Sequence, residues 1–305
     1  MIDILKLGFI GMGEASFYLS KDLKSEQVTV FAYDKLASEI GFAGDIIRER
    51  ALKRGITLVM NMEELFVKSE VIMCLTSATS ALPISREIKP LLEERHFYAD
   101  LNSASPKTEK QIAEVLADTP ARFTDIGVMA PVPSWGTKVP LVACGKDSKI
   151  LTDMLNNIGM NVEYMGEEIG TASMFKMNRS MFMKGFVALM CETVFAASQY
   201  NIVDEVLESI RKSLYDEKAY LDMVNMHLTG MVPHSKRFVH EMKEALDTLE
   251  DLGENSIMTQ ATVKKMQWFT DEGFLAQFAS KGIDRPASFM DIVAEKNQMK
   301  QNVEG

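Results

Sequence analysis

Gly8-Phe9-Ile10-Gly11-Met12-Gly13-Glu14-Ala15-Ser16 stands near the start of the chain. Glycine loses more conformational freedom on folding than any other residue, so three glycines in so short a run need a reason. The residues before the turn, Ile4 to Ile10, are mostly apolar and read as a buried strand. Those after it, Ala15 to Leu23, read as the first turns of a helix. A strand, a tight glycine turn and a helix form the setting in which a phosphate sits on a helix N-terminus.

The dinucleotide fingerprint runs G-x-G-x-x-G, with an acidic residue about 20 positions further on at the end of the second strand. Gly11, Gly13 and Ser16 fill the three small positions, and Ser16 is small enough to keep helix and strand close. Asp34 closes the apolar run Val-Thr-Val-Phe-Ala-Tyr-Asp, 23 residues after Gly11. A carboxylate there accepts hydrogen bonds from ribose hydroxyls and repels a 2′-phosphate. NAD is therefore the expected cofactor, and Lys35 beside it leaves NADP open. Met12, Glu14 and Ala15 belong to the same turn. Leu75, Thr76 and Ser77, at the carboxyl end of a later strand, are expected beside the cofactor, as ligands of open α/β sheets bind there. The rival ligands for such a turn are S-adenosylmethionine and FAD.

Working outward, strands and helices alternate through the first half. Strands are expected at Leu5–Ile10, Val28–Tyr33, Thr57–Met60, Val71–Leu75, Phe97–Leu101, Phe123–Val128, Pro140–Cys144 and Val162–Met165. They are apolar at nearly every position, as strands buried on both faces are. Helices are expected at Lys35–Arg54, Thr79–Glu93, Lys107–Ala117 and Ser148–Asn156. This alternation predicts an α/β fold, a Rossmann-type doubly wound and mostly parallel sheet. The pattern changes at Gly166. One long apolar helix follows over Ala172–Gln199, then helical stretches near Val203–Lys212, Glu217–Leu228, His234–Leu252, Ser256–Phe269 and Pro286–Glu295. The polar tail from Lys296 is expected to fray. The domains expected are thus 1–166, binding the dinucleotide, and 167–305, all helical and joined to the first by the long helix.

Composition narrows the function. The chain has 305 residues, 47% hydrophobic and 25% charged, enough for two ordinary cores. A net charge of −10 argues against nucleic-acid binding, which needs a basic surface. Cys74, Cys144 and Cys191 lie in apolar runs without a C-x-x-C, so buried thiols in a reducing compartment are expected, with no structural metal. No signal peptide or membrane span is evident, and the expected compartment is the cytoplasm.

Four stretches carry a resemblance. Gly8–Ser16, Asp100-Leu-Asn-Ser-Ala-Ser-Pro106, Asp125-Ile-Gly-Val-Met-Ala-Pro-Val132 and Gly170-Thr-Ala-Ser-Met-Phe-Lys-Met-Asn-Arg-Ser180 follow one another as in the β-hydroxyacid dehydrogenases. That family includes 6-phosphogluconate and 3-hydroxyisobutyrate dehydrogenases, and the resemblance extends over nearly the whole chain. It implies hydride transfer between NAD or NADP and a hydroxyl β to a carboxylate. It implies that Asn102 and Ser103 hold the substrate carboxylate, that Met129, Ala130 and Pro131 pack on the substrate, and that Lys176 is the catalytic lysine. Ser180 stands where the family has an asparagine. Ala130-Pro131 replaces a glycine pair, and the chain resembles a less characterised branch with a Pro-Val-Pro-Ser-Trp-Gly loop. The family's K-D-L-x-L-A motif aligns with His240–Ala245, placing His240 in the lysine position, with Arg237 one turn earlier. A homodimer is also implied.

The residues support a site without the family. On a helix, Ser173, Lys176, Ser180 and Lys184 share one narrow stripe among apolar faces. Lys176 would take the hydroxyl proton as hydride leaves, with burial, Arg179 and Lys184 favouring its neutral form. Arg179 and Arg237 suit an acidic small-molecule substrate. A β-keto product could then lose CO₂. The alternatives are an imine reductase, on a scaffold where the lysine is usually absent, and a catalytically silent NAD-binding protein.

Overall fold

The computed structural model describes residues 4–23, 26–215, 220–251 and 253–304. The side chains of several further residues in the long C-terminal helices, Lys184, Cys191 and Arg237 among them, lie outside the described residues. Two compact units divide the chain, 1–181 and 182–305. The division falls inside a single helix, α8 (Thr171–Ser198), rather than in a loop.

The first unit holds an eight-stranded sheet in the order β3-β2-β1-β4-β5-β6-β7-β8. The strands are β1 (Leu5–Ile10), β2 (Val28–Tyr33), β3 (Thr57–Leu58), β4 (Val71–Cys74), β5 (Phe97–Asp100), β6 (Arg122–Val128), β7 (Pro140–Cys144) and β8 (Asn161–Tyr164). Every neighbouring pair is parallel except β6 with β7. The order reverses between β1 and β4, the switch point where open α/β sheets bind ligands. Alternation along each strand feeds two separate cores. Leu7, Phe9, Met73 and Ala99 enter one, while Ile10, Ile72, Cys74 and Tyr98 enter the other.

Around the sheet pack α1 (Glu14–Leu19), α2 (Phe42–Arg54), α3 (Met62–Lys68), α4 (Ala78–Ile88), α5 (Pro106–Leu116), α6 (Val132–Trp135) and α7 (Ser148–Asn157). The helix expected over Lys35–Arg54 is broken. A 3-10 turn occupies Lys35–Ser38, and α2 starts only after Gly41, whose φ of 113° no helix accepts.

The second unit is helical: the rest of α8, then α9 (Val203–Tyr215), α10 (Tyr220–Asp251), α11 (Ile257–Asp271), α12 (Phe274–Ser280) and α13 (Phe289–Glu304). Its core joins Val232, Phe269, Phe274 and Phe278, with the Phe269 and Phe274 rings stacked 4.3 Å apart. Two helices were expected where α10 runs continuously through Pro233. Buried Val232 and Val239 flank that proline, and their packing outweighs its helix cost of about 3 kcal/mol. The part of the expected Glu217–Leu228 helix before Tyr220 lies outside the described residues. The tail expected to fray from Lys296 continues α13 to Glu304.

Candidate active site

The glycine turn is built as the fingerprint requires. Gly11 has a φ of 93°, and a Cβ there would stand 2.5 Å from the Leu75 carbonyl oxygen. No L side chain fits that position. Ser16 Oγ donates to the Gly11 carbonyl at 2.7 Å and so ties α1 to the turn. Gly13 caps α1, and no atom lies within 4 Å of where its Cβ would stand. That open cradle before the first-turn N–H groups fits a pyrophosphate. Asp34 is half-buried at the end of β2. One of its oxygens accepts from Met12 N at 2.8 Å and the other from Leu36 N at 2.9 Å. The carboxylate thus braces the turn while keeping lone pairs for ribose hydroxyls. The Met12 side chain is core. Glu14 and Lys35 are exposed and Ala15 half-buried.

Past the switch point, Leu75 is buried and Thr76 and Ser77 are exposed. Asn102 Oδ1 accepts from Thr76 N at 2.7 Å, and its Nδ2 donates to Asp100 Oδ2 at 3.0 Å and to Cys74 Sγ at 3.3 Å. The Asn102 amide therefore fixes the ends of β4 and β5 relative to one another. Ser103 is exposed beside it. Ser105 caps α5, accepting from Thr108 N at 3.1 Å, which leaves Ser103 out of that role. Met129 is buried against Val142, Cys144 and Ala172, bent back over Gly127, so its side chain is a core element rather than a site surface. Ala130 is half-buried and Pro131 exposed.

Beneath these loops lies a feature that motif reading missed. Cys74, Asp100, Asp125 and Cys144 are register partners on β4, β5, β6 and β7, so they share one face of the sheet in an unbroken row. All four are buried. Asp100 accepts from Asn102 N at 2.8 Å as well as from its amide. Asp125 Oδ2 accepts from Gly170 N and Ser173 N at 3.2 Å, from Ser173 Oγ at 3.0 Å and from the Cys144 thiol at 3.4 Å. A carboxylate on the first N–H groups of α8 holds that helix end by hydrogen bonds and by its dipole. Lys176 follows Ser173 by three residues and is half-buried on the same side. Burial pushes Asp100, Asp125 and Glu109 all up from the usual carboxylate range, and the charge of Lys176 pulls Asp100 and Glu109 back down. The charge of Lys176 is thus felt by two buried acids, while Arg179 is exposed and the Lys184 side chain lies outside the described residues. Burial also pushes the Cys74 and Cys144 thiols up to about 12, so both are inert thiols.

The acids had a legible signal. Asp100 ends the apolar strand β5, Asp125 lies inside the buried part of β6, and Glu109 falls in the apolar stripe of α5 with Ile112 and Leu116. Ser180 is half-buried and Arg179 exposed, both still in the first unit. His240 is exposed on α10 in the second unit, where Arg237 also falls; the Arg237 side chain, like that of Lys184, is outside the described residues. Among the described residues, no group of three or more His, Cys, Asp or Glu could hold a metal ion.

The NAD binding domain of 6-phosphogluconate dehydrogenase matches residues 6–166. The chain belongs to that family. A second match, to a domain of unknown function (DUF1932), covers residues 197–269. An uncharacterized 28.5 kDa protein of Methanothermus fervidus is 26% identical over 240 residues, 79% of this chain and 89% of its own. A conserved protein of unknown function, whose structure is described as similar to 3-hydroxyacid dehydrogenases, is 27% identical. It covers 88% of this chain and 97% of its own, with a TM-score of 0.59. An imine reductase from Aspergillus terreus in complex with NADPH4 has a TM-score of 0.71 at 14% identity, over 89% of this chain and 95% of its own, and shares the fold. The first unit is therefore an NAD(P)-binding domain and the protein an NAD(P)-dependent oxidoreductase. Among the described residues no helix is long and apolar enough to cross a membrane.

Proposed function

We propose that the protein interconverts a β-hydroxy acid and its oxo acid, with Lys176 as general acid and base. The observation that supports this most is the staple of Asp125 on the start of α8, the helix that carries Lys176. Bound NAD(P) supplies or accepts the hydride. In reduction Lys176 Nζ gives a proton to the carbonyl oxygen, and in oxidation it takes the hydroxyl proton. Ser180, one turn further along α8, hydrogen-bonds the same oxygen. Ser103 and Arg179 receive the substrate carboxylate. Asn102 keeps Thr76 and Asp100 in place, and Ala130-Pro131 closes one side of the substrate. Asp34 favours NADH over NADPH.

The protein is further proposed to be a homodimer. The exposed rings of Phe182 and Phe186, stacked along α8, support that partner. Light scattering at micromolar concentration tests it, and a monomer counts against it.

The reaction is tested by following NADH and NADPH fluorescence with short β-oxo acids and with a cyclic imine, and CO₂ release in the reverse direction. Cofactor consumption with an oxo acid is expected. Consumption with the imine alone overturns the reading in favour of C=N reduction.

A further inference from the structure

Beyond Ala130 and Pro131, the loop between β6 and β7 is not used by any step above. It leaves the carboxyl end of β6 after Val128 and re-enters the sheet at Pro140, with Met129 N donating to the Pro140 carbonyl at 2.9 Å. Both ends of the loop therefore lie at the edge of the sheet that carries the glycine turn. Between them α6 packs on α1, and Val132 and Val139 share a core with Met12 and Leu19. Trp135 stands out from the loop and is 53% exposed. Thr137, two residues on, turns inward and is fully buried. Its hydroxyl donates to the Leu19 carbonyl at 2.7 Å and accepts from Asp22 N at 2.9 Å, 118 and 115 residues away along the chain. Gly136 sits as close, since a Cβ there would stand 3.5 Å from the Tyr18 carbonyl oxygen.

These contacts meet α1 where a helix is weakest. The last carbonyls of a helix have no partner inside it, and α1 has six residues, too few to hold a helix alone. Its place is set by what meets its two ends. At the start is the cradle of Gly11 and Gly13. At the end Arg54 Nε donates to the Phe17 carbonyl at 2.8 Å, and Thr137 takes the Leu19 carbonyl. The helix is about 9 Å long, so one short rod joins the cradle to the loop. We propose that Thr137 is a positioning residue that couples the two: a pyrophosphate seated before α1 fixes that helix, and Thr137 passes the order on to the 131–136 loop. The effect on substrate rests on the assignment of Ala130 and Pro131 to the substrate side. The coupling to the cofactor does not.

The first test needs no substrate. ADP-ribose carries the pyrophosphate and lacks the nicotinamide ring. Trp135 and Trp268 are the two tryptophans of the chain, so protein labelled with 5-fluorotryptophan gives two fluorine resonances, and Trp135→Phe identifies the one to follow. Saturating ADP-ribose is expected to shift that resonance in wild type and in Thr137→Ser. It is expected to leave it in place in Thr137→Val, which keeps the shape of the side chain and neither hydrogen bond. No shift in wild type overturns the coupling, whatever the variants do. An equal shift in Thr137→Val also overturns it, because the signal then reaches the loop by another route. The second test uses the oxo acid found to be turned over. Thr137→Val is expected to raise its KM roughly fivefold, the worth of one hydrogen bond, with kcat close to wild type and Thr137→Ser restoring the value. An unchanged KM in Thr137→Val overturns the effect on substrate and takes the loop out of the substrate site, while the fluorine resonance decides the coupling by itself.

Discussion

The two units use polar side chains in opposite ways. In the first, they reach across the chain: Asn102 holds the Thr76 amide, Asp34 that of Met12, and Asp125 those of Gly170 and Ser173, 45 and 48 residues away. In the second, hydroxyls mostly return to their own helix. Thr193, Ser213, Thr229, Thr262 and Thr270 each donate to the carbonyl four residues earlier. Arg285 on Thr229 and Asn225 on Phe289 N are exceptions. Long-range polar contacts fix single atoms in place, whereas i−4 contacts satisfy a hydroxyl and fix little. The first unit is specified around a site, the second around apolar packing.

That contrast can be broken by substitution. The largest effect is expected at Gly11→Ala. The new Cβ meets the Leu75 carbonyl in a backbone conformation that alanine resists, so a loss of about 3 kcal/mol in chemical denaturation and no measurable NADH binding are expected. Asp34→Ala leaves the Met12 and Leu36 amides without their acceptor and removes the ribose partner. NADH affinity is expected to fall about tenfold in a fluorescence titration, with NADPH affected less.

The buried acid has a pH signature. Burial raises Glu109 from 4.5 to about 10, so the folded state holds a proton that the unfolded state has lost. Its contribution to stability is then complete below about 4.5 and declines as pH climbs towards 10. Between pH 6 and pH 9 wild type should lose stability more steeply than Glu109→Gln, by up to about 1.4 kcal/mol per pH unit, read as the denaturation midpoint at each pH. An equal decline in both proteins would mean that another group carries the proton. The smallest effect belongs to the second unit: Thr262→Ala should change stability by less than about 0.5 kcal/mol and leave NADH binding intact. A large loss there would erase the contrast between the units.

The same difference explains what was legible in the sequence. Each expected strand has a counterpart in the sheet, because the central strands are buried on both faces and therefore largely apolar. Gly11, Gly13, Ser16 and Asp34 were legible because backbone conformation and hydrogen bonding leave so few residue types for those places. Asp100, Asp125 and Glu109 each stand out within their own element, but the row itself was not legible, because Asp100 and Asp125 share a face only through strand register, and no local spacing records that. Met129 was assigned to the substrate by motif, yet the open space over Gly127 draws it into the core. In the helical unit, two stretches were expected over Glu217–Leu228 and His234–Leu252, and α10 runs through Pro233 between them, with Val232 and Val239 buried.

The most direct test of Lys176 as the acid and base is a single-turnover experiment. NADH bound to wild type or to Lys176→Ala is mixed with an oxo acid that the wild type reduces, and nicotinamide fluorescence is followed. Equal NADH affinity with a rate at least about a hundredfold slower in Lys176→Ala is the expected result. Equal rates in the two proteins would contradict it and move the proton chemistry away from α8.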